Sequence, residues 1–340
     1  MTYLRTLLVV QLALLLCFPP PSLAGRGYVY VERAYYAMGS LFEVKLYCQS
    51  RPVCDRAAEN AYGELRRLDR LLSDYRSDST LAYVHREAHG RWVSVPREFA
   101  VLLALSFGYT ALTAGAFDVT VAPVFRLWKE AQRKGVPPSA EEIARALSCI
   151  GPSMVETDWK RSRLRLVRPC VRLDFGAIGK GYAVDRAARL VKDGGIERGI
   201  LNFSGTIYVL GPPPGRRGWV VEVKDPSDAP SSHGSSFLVD SGAVSTSGGY
   251  EKHFDMAGKR YSHIIDPRTG LPVRWTVSVT VTAPTATEAD ALSTAFSVMG
   301  PADAVALAES LPGVEVQVLE GDGSSVSSSG FGRTGGGLDK

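Results

Sequence analysis

Apolar residues along this chain repeat with two different periods, and the switches between them mark its elements. Phe42, Val44 and Leu46 alternate with Leu41, Glu43, Lys45 and Tyr47, which predicts a strand over 41–47. Tyr28 to Tyr36 reads as a strand before it, joined through Met38-Gly39-Ser40. From Asp55 to Leu72 the period lengthens. Ala58, Ala61, Tyr62, Leu65, Leu68 and Leu72 fall on one face of a helix. A polar loop, Ser73 to Ser79, then leads into a short helix ending at Arg86, and Arg91 to Val95 reads as a strand. Pro96 opens a long buried helix that stops at Gly115-Ala116-Phe117-Asp118. Ser139 caps a further helix with Glu141 and Glu142 in its first turn. Met154 to Thr157 and Leu164 to Val167 are β-like.

The most informative stretch runs from Cys170 to Gly205. An apolar strand, Val171 to Phe175, carries Asp174. Gly176, Gly179 and Gly181 follow, with Lys180 between the last two, and then a helix with Ala183, Ala187, Leu190 and Val191 on one face. Gly194-Gly195 ends it, and a second strand spans Gly199 to Phe203. A strand, a glycine turn and a helix aim backbone N–H groups and a positive helix end at an anion, with Lys180 as a point charge. The spacing matches neither a P-loop nor a dinucleotide fingerprint. A plain helix-packing turn is the alternative reading.

Beyond that stretch, Ile207 to Leu210 and Trp219 to Val223 read as strands, and Phe237 to Val239 with Ala243 to Val244 as a hairpin-like pair. Val277 to Thr282 is a strand, Glu288 to Met299 and Ala302 to Ser310 are helices, and Val314 to Leu319 is a last strand. The pattern predicts an α+β fold with mixed or antiparallel sheets and packed helices. From Gly321 to Lys340 glycine and serine dominate without periodicity, which predicts a disordered tail.

Three clusters could carry chemistry. Ser245 to Tyr250 is a hydroxyl-rich turn. Tyr261 to Gly270 contains His263, a candidate general base, ahead of the turn sequence Asp266-Pro267-Arg268-Thr269-Gly270. In the third, Asp290 and Thr294 lie i, i+4 on one helix, so a carboxylate and a hydroxyl face the same way. Two hard oxygens side by side suit Mg²⁺, against the alternative of an ordinary first-turn acid and a back-bonded threonine. His85 and His89, also four apart, lack the carboxylate placement of a zinc protease motif and read as surface residues.

Composition narrows the class. The 340 residues are 45% apolar, enough for a substantial core, and a net charge of +4 without a basic run excludes nucleic acid as a partner. Arg5, the apolar run Leu7 to Phe18 and Ser22-Leu23-Ala24 read as a secretory signal over residues 1–24. That reading places the protein in the periplasm. Cys17 offers lipid attachment to the inner membrane as an alternative, which the large Leu16 before it disfavours. Cys48, Cys54, Cys149 and Cys170 then remain, an even number in an exported chain. They predict disulfides, with Cys48–Cys54 and Cys149–Cys170 as the closures suggested by position.

Seven ordered blocks carry a resemblance. They are M-G-S at Met38, L-S-D-Y at Leu72, G-A-F-D at Gly115, D-F-G-A-I-G-K-G-Y-A-V-D at Asp174, T-S-G-G-Y at Thr246, Y-S-H-I-I-D-P-R-T-G at Tyr261 and E-A-D-A-L-S-T-A at Glu288. Together they resemble the FAD:protein FMN transferase (ApbE) family, over residues 25–320, in one domain or two subdomains. The resemblance implies a T-fold-like architecture and an exported, Mg²⁺-dependent enzyme, with Mn²⁺ as an alternative. Such an enzyme splits FAD, joins FMN by a phosphoester to a Thr or Ser of an acceptor protein, and releases AMP. It implies a flavin site at Met38, Tyr75, Ala116, Phe117, Asp118, Asp174, Lys180 and Ile265. The implied metal site is Ala177 (through its carbonyl), Asp290 and Thr294, with His263 activating the acceptor hydroxyl. The rival readings are a Mg²⁺-dependent FAD pyrophosphatase and an exported FAD-binding protein without catalysis.

Overall fold

The computed structural model describes residues 27–223, 236–248, 253–256, 258–273, 276–320 and 324–332. The expected signal segment with Cys17, Gly249 and Tyr250 of the hydroxyl-rich turn, and residues 321–323 and 333–340 of the tail lie outside these.

The chain begins with β1 (Val29–Ala37) and β2 (Ser40–Cys48), paired antiparallel. Met38 and Gly39 both have positive φ, 47° and 74°, as a two-residue hairpin turn requires. Then come α1 (Arg51–Leu72), α2 (Thr80–Glu87), β3 (Val93–Ser94), α3 (Arg97–Leu112), α4 (Ala122–Lys134) and α5 (Ala140–Leu147). β4 (Val155–Asp158) and β5 (Arg163–Leu166) precede α6 (Gly179–Asp193), β6 (Arg198–Phe203), β7 (Thr206–Gly211), β8 (Trp219–Glu222), β9 (Ser236–Val239) and β10 (Gly242–Gly248). The remainder is β11 (His253–Met256), β12 (Lys259–Ser262), β13 (Thr276–Ala283), α7 (Ala286–Met299), α8 (Pro301–Ser310), β14 (Glu315–Glu320) and β15 (Ser325–Ser327).

An eight-stranded antiparallel sheet, ordered β1-β2-β6-β7-β10-β13-β14-β15, organises the molecule. One face meets α1, α6 and α7, where Leu65, Leu68, Ala187, Val191, Leu292 and Phe296 pack on Phe42, Val44, Leu201, Phe203 and Val281. Each fully buried Leu or Phe in this layer contributes about 1.5–3 kcal/mol. Trp219, Val221 and Val239 of the β8–β9 hairpin cover the other face at Ile200, Ile207, Val209 and Val244. Among the described residues no helix is long and apolar enough to cross a membrane.

The structure departs from the sequence pattern in four places. Residues 171–175 are extended but join no sheet, because the Leu173 N–H goes to His85 Nε2 and the Asp174 N–H to the Val119 carbonyl. β9 and β10 do not pair: β9 pairs with β8, while β10 lies in the main sheet between β7 and β13. The β11–β12 hairpin has no counterpart in the pattern. Residues 324–332 are ordered rather than disordered. β15 covers the edge of β14, buried Ser328 accepts the Val316 N–H, and the Phe331 ring lies 5.0 Å from that of Phe237. Both expected disulfides are present, Cys48–Cys54 and Cys149–Cys170.

Candidate active site

The centre of the site is the crossing of α6 and α7. The Gly181 N–H, in the first turn of α6, donates to Asp290 Oδ2 of α7 at 2.8 Å. In return Asp185 of α6 accepts the Ala286 and Thr287 N–H groups at the start of α7, each at 2.8 Å. Each helix therefore supplies the carboxylate that satisfies the other's unpaired first-turn donors. Only glycine allows this approach: a Cβ on Gly181 would stand 2.2 Å from the Ala286 carbonyl oxygen and 2.7 Å from Asp290 Cβ.

The consequence falls on Ala177. The Gly181 N–H that a longer helix would aim at the Ala177 carbonyl has turned to Asp290. That carbonyl accepts no hydrogen bond from the described residues. Along α7, Ser247 Oγ lies 2.8 Å from Ser293 Oγ and 3.4 Å from Thr294 Oγ1, bringing the end of β10 against the same face. The set is a buried carboxylate, hydroxyls and a main-chain carbonyl, all hard oxygens of the kind that bind Mg²⁺ or Mn²⁺. Burial pushes the Asp290 carboxyl above its ordinary value, while Lys180, the Gly181 N–H and Thr206 pull it back.

The turn leading into α6 differs from the expected anion cradle. Gly176 N–H donates to Asp174 Oδ1 at 2.7 Å, Gly179 N–H to the Phe175 carbonyl at 2.7 Å, and Gly181 N–H to Asp290. All three glycine N–H groups are thus engaged within the protein, and the charge of Lys180 acts on the Asp290 carboxyl.

A model of the ApbE family matches residues 38–318. The chain belongs to the ApbE family. Among its relatives, the FAD:protein FMN transferase of Klebsiella pneumoniae is 32% identical over 78% of this chain and 77% of its own length. That of Treponema pallidum is 30% identical over 84% of this chain and 83% of its own. The ApbE protein of Thermotoga maritima superposes with a TM-score of 0.81 at 33% identity, covering 89% of this chain and 98% of that one. The apo flavinyl transferase ApbE of Pseudomonas stutzeri gives 0.78 at 31% identity, with 89% and 96% covered.

Several residues expected from the ApbE resemblance converge on a second flank. The Asp174 N–H donates to the Val119 carbonyl, next to Asp118, at 2.6 Å. Asp118 is buried and accepts from the N–H and Oγ1 of Thr120. Burial pushes both carboxyls up, against these hydrogen bonds. Ala116 packs with Ile264, beside His263 and Ile265. Ile265 itself sits against Val124 and Trp128 of α4, and Trp128 Nε1 donates to the Gly270 carbonyl at 2.8 Å. Asp266-Pro267-Arg268 is turn chemistry: Asp266 accepts the Arg268 N–H and its guanidinium. Tyr75 is 91% exposed with Lys129 over its ring, and His263 is half-buried after β12. Phe117 lies in the main core and Met38 packs against it, so the structure does not bring these two to the α6–α7 crossing.

Sequence reasoning passed over Asp185 as an ordinary polar position, placed Ser247 only within a hydroxyl-rich turn, and read His85 as a surface residue, whereas it is buried. Asp185 closes the A-V-D end of its block, four residues after Gly181, as Asp290 lies four after Ala286. That matched spacing was the available signal.

Proposed function

We propose that this protein moves the FMN half of FAD onto a Thr or Ser hydroxyl of an acceptor protein, releasing AMP. The supporting observation is the α6–α7 crossing, which buries Asp290 against Gly181, just after the turn whose Ala177 carbonyl accepts no hydrogen bond from the described residues. Asp290, Thr294 and the Ala177 carbonyl would hold one Mg²⁺, with Mn²⁺ as the alternative. The bound cation would neutralise charge gathering on the diphosphate oxygens as the bridge breaks.

The chain's own groups do the rest. Lys180 faces the phosphates as a point charge. Met38, Tyr75, Ala116, Phe117, Asp118, Asp174 and Ile265 line the flavin side, where exposed Tyr75 offers a ring for stacking. His263 takes the proton of the acceptor hydroxyl. The hydroxyl oxygen bonds to the FMN phosphorus while the bond from that phosphorus to the bridging oxygen breaks, and AMP departs with that oxygen. Two disulfides support an oxidising compartment, in keeping with export to the periplasm.

The test is incubation with FAD, Mg²⁺ and an acceptor protein, followed by flavin fluorescence on a denaturing gel and an assay for AMP. Asp290→Asn keeps an oxygen for the Gly181 N–H and removes the charge. It lowers AMP release about a thousandfold, the equivalent of roughly 4 kcal/mol. Undiminished release at matched Mg²⁺ refutes the metal assignment. Free FMN formed from FAD alone would mean that water replaces the acceptor.

A further inference from the structure

The flavin and metal assignments leave His85 and His89 unused, yet both reach the same segment. His85 is 7% exposed, and its Nε2 accepts the Leu173 N–H at 2.9 Å. That nitrogen therefore carries no proton, and the ring proton sits on Nδ1, 3.4 Å from Asp74 Oδ1. His89 Nε2 lies 3.1 Å from the Val171 carbonyl, which can only accept, so there the ring donates. From the end of α2, one ring accepts an N–H and the next donates to a C=O two residues away. The two rings supply what a neighbouring strand would supply to residues 171–175, which have none.

We propose that His85 and His89 are positioning residues for the flavin pocket. Both set the arm that carries Asp174, and His85, through Asp74, ties that arm to the loop that carries Tyr75. This rests on the flavin reading of Asp174 and Tyr75. The bond to Leu173 exists only while His85 Nε2 is unprotonated, because a proton there would set two donors face to face. The charged groups around this ring are Asp74, Arg126 of α4, which lies 3.2 Å from Asp74, and Arg172 and Asp174 of the arm itself.

The experiment uses the full chain with His85→Leu and His85→Gln, reading hydrogen exchange at the Leu173 amide and FAD affinity by flavin fluorescence. His85→Leu loses Leu173 protection and binds FAD about tenfold more weakly, the scale of one buried hydrogen bond. Glutamine, whose amide has one acceptor and a donor, restores both readouts. If His85→Leu does not fold, His89→Leu, which removes the donor to the Val171 carbonyl, is read by FAD affinity alone, and unchanged affinity there overturns the proposal. Leu173 protection unchanged, or lost with FAD affinity intact, overturns the proposal. A wild-type chain that binds no FAD overturns the flavin reading instead, and the exchange data then decide whether the clamp exists.

Discussion

The two flanks of the candidate site are held in opposite ways. Where α6 meets α7, main chain lies against main chain, and each helix satisfies the other's first turn through Asp185 and Asp290. On the other flank, residues 73–79, 116–120 and 171–175 have no sheet or helix in common. They are held by single bonds, Asp174 to Val119 between two of them and Leu173 to His85 of α2. The first arrangement fixes oxygen positions rigidly, as the proposed metal site would require. The second has few bonds to break on local opening, as the proposed flavin pocket would require.

The sharpest way to break this contrast is a pair of glycine substitutions. In Gly181→Ala the new methyl meets backbone, which cannot yield, so α6 and α7 must separate. The expected loss is about 3 kcal/mol, with metal-dependent AMP release falling in step. In Gly176→Ala the methyl meets only the Asp174 carboxylate, 3.0 Å away, and that side chain can turn. Its cost is about 1 kcal/mol. Thermal or urea unfolding of the two variants decides; equal losses would mean that both flanks are equally rigid.

The disulfides separate the flanks next. Cys149–Cys170 closes a separation of 21 residues and ends beside Val171, whereas Cys48–Cys54 closes 6. Replacing the first pair by serine costs about 3 kcal/mol and the second about 2, on loop-closure entropy. The Cys149–Cys170 replacement also weakens FAD binding, because it frees the root of the Asp174 arm. Urea melts and flavin titrations on the two double variants distinguish stability from pocket geometry.

Legibility in the sequence followed the same division. The helices and the main-sheet strands were readable because their apolar faces repeat with the period of the element, as in α1 and β2. Asp290 and Thr294 were readable because one helix turn fixes their mutual placement. The Asp174 arm was misread as a strand, since Val171, Leu173 and Phe175 alternate with Arg172 and Asp174 as strand residues do. What a pattern cannot carry is the identity of the hydrogen-bonding partner, here two histidine rings eighty or more residues earlier. The glycine turn was misjudged for a related reason. Its N–H groups were expected to face an anion, and local bonds to Asp174 and Phe175 and a tertiary bond to Asp290 use them instead. The ordered 324–332 segment has no periodicity at all; the open edge of β14 recruits it.

A smaller effect sharpens the rigid side. The exposed face of α6 joins α1 and α3 through Glu64, Arg67, Glu98 and Arg186. The Arg67 hydrogen bond holds the Glu64 carboxyl below its ordinary 4.5, helped by Arg186 and outweighing burial. For Glu98 burial acts upward, and Arg67 and Tyr182 overcome it. A depressed carboxyl stabilises the fold above its unfolded value and loses that contribution as pH falls through its folded one. Arg67→Met therefore removes about 1–2 kcal/mol at neutral pH, discounted for the partial exposure of Arg67, and flattens the acid limb of the stability curve. The buried Asp118 and Asp290 and the half-buried Asp174 and Asp185, all raised, have the opposite sign and favour the fold as pH falls. Urea unfolding between about pH 3 and 6 reads the difference, and an unchanged acid limb would remove the network from the account.

The smallest expected change in stability isolates the adjustable side. The Tyr75 side chain is almost fully exposed, with Lys129 5.9 Å above its ring, so Tyr75→Ala alters unfolding by less than about 0.5 kcal/mol. If its ring stacks on the flavin, the same substitution weakens FAD binding about tenfold, the scale of an aromatic stack of about 1.5 kcal/mol. Leucine in its place recovers stability-neutral bulk but not the stack, so Tyr75→Phe, and not Tyr75→Leu, restores affinity. Recovery by leucine as well would mean that the loop excludes water with any apolar side chain. The Tyr75 flank would then act as a lid, and recognition of the flavin ring would lie with Ala116, Phe117 and Ile265.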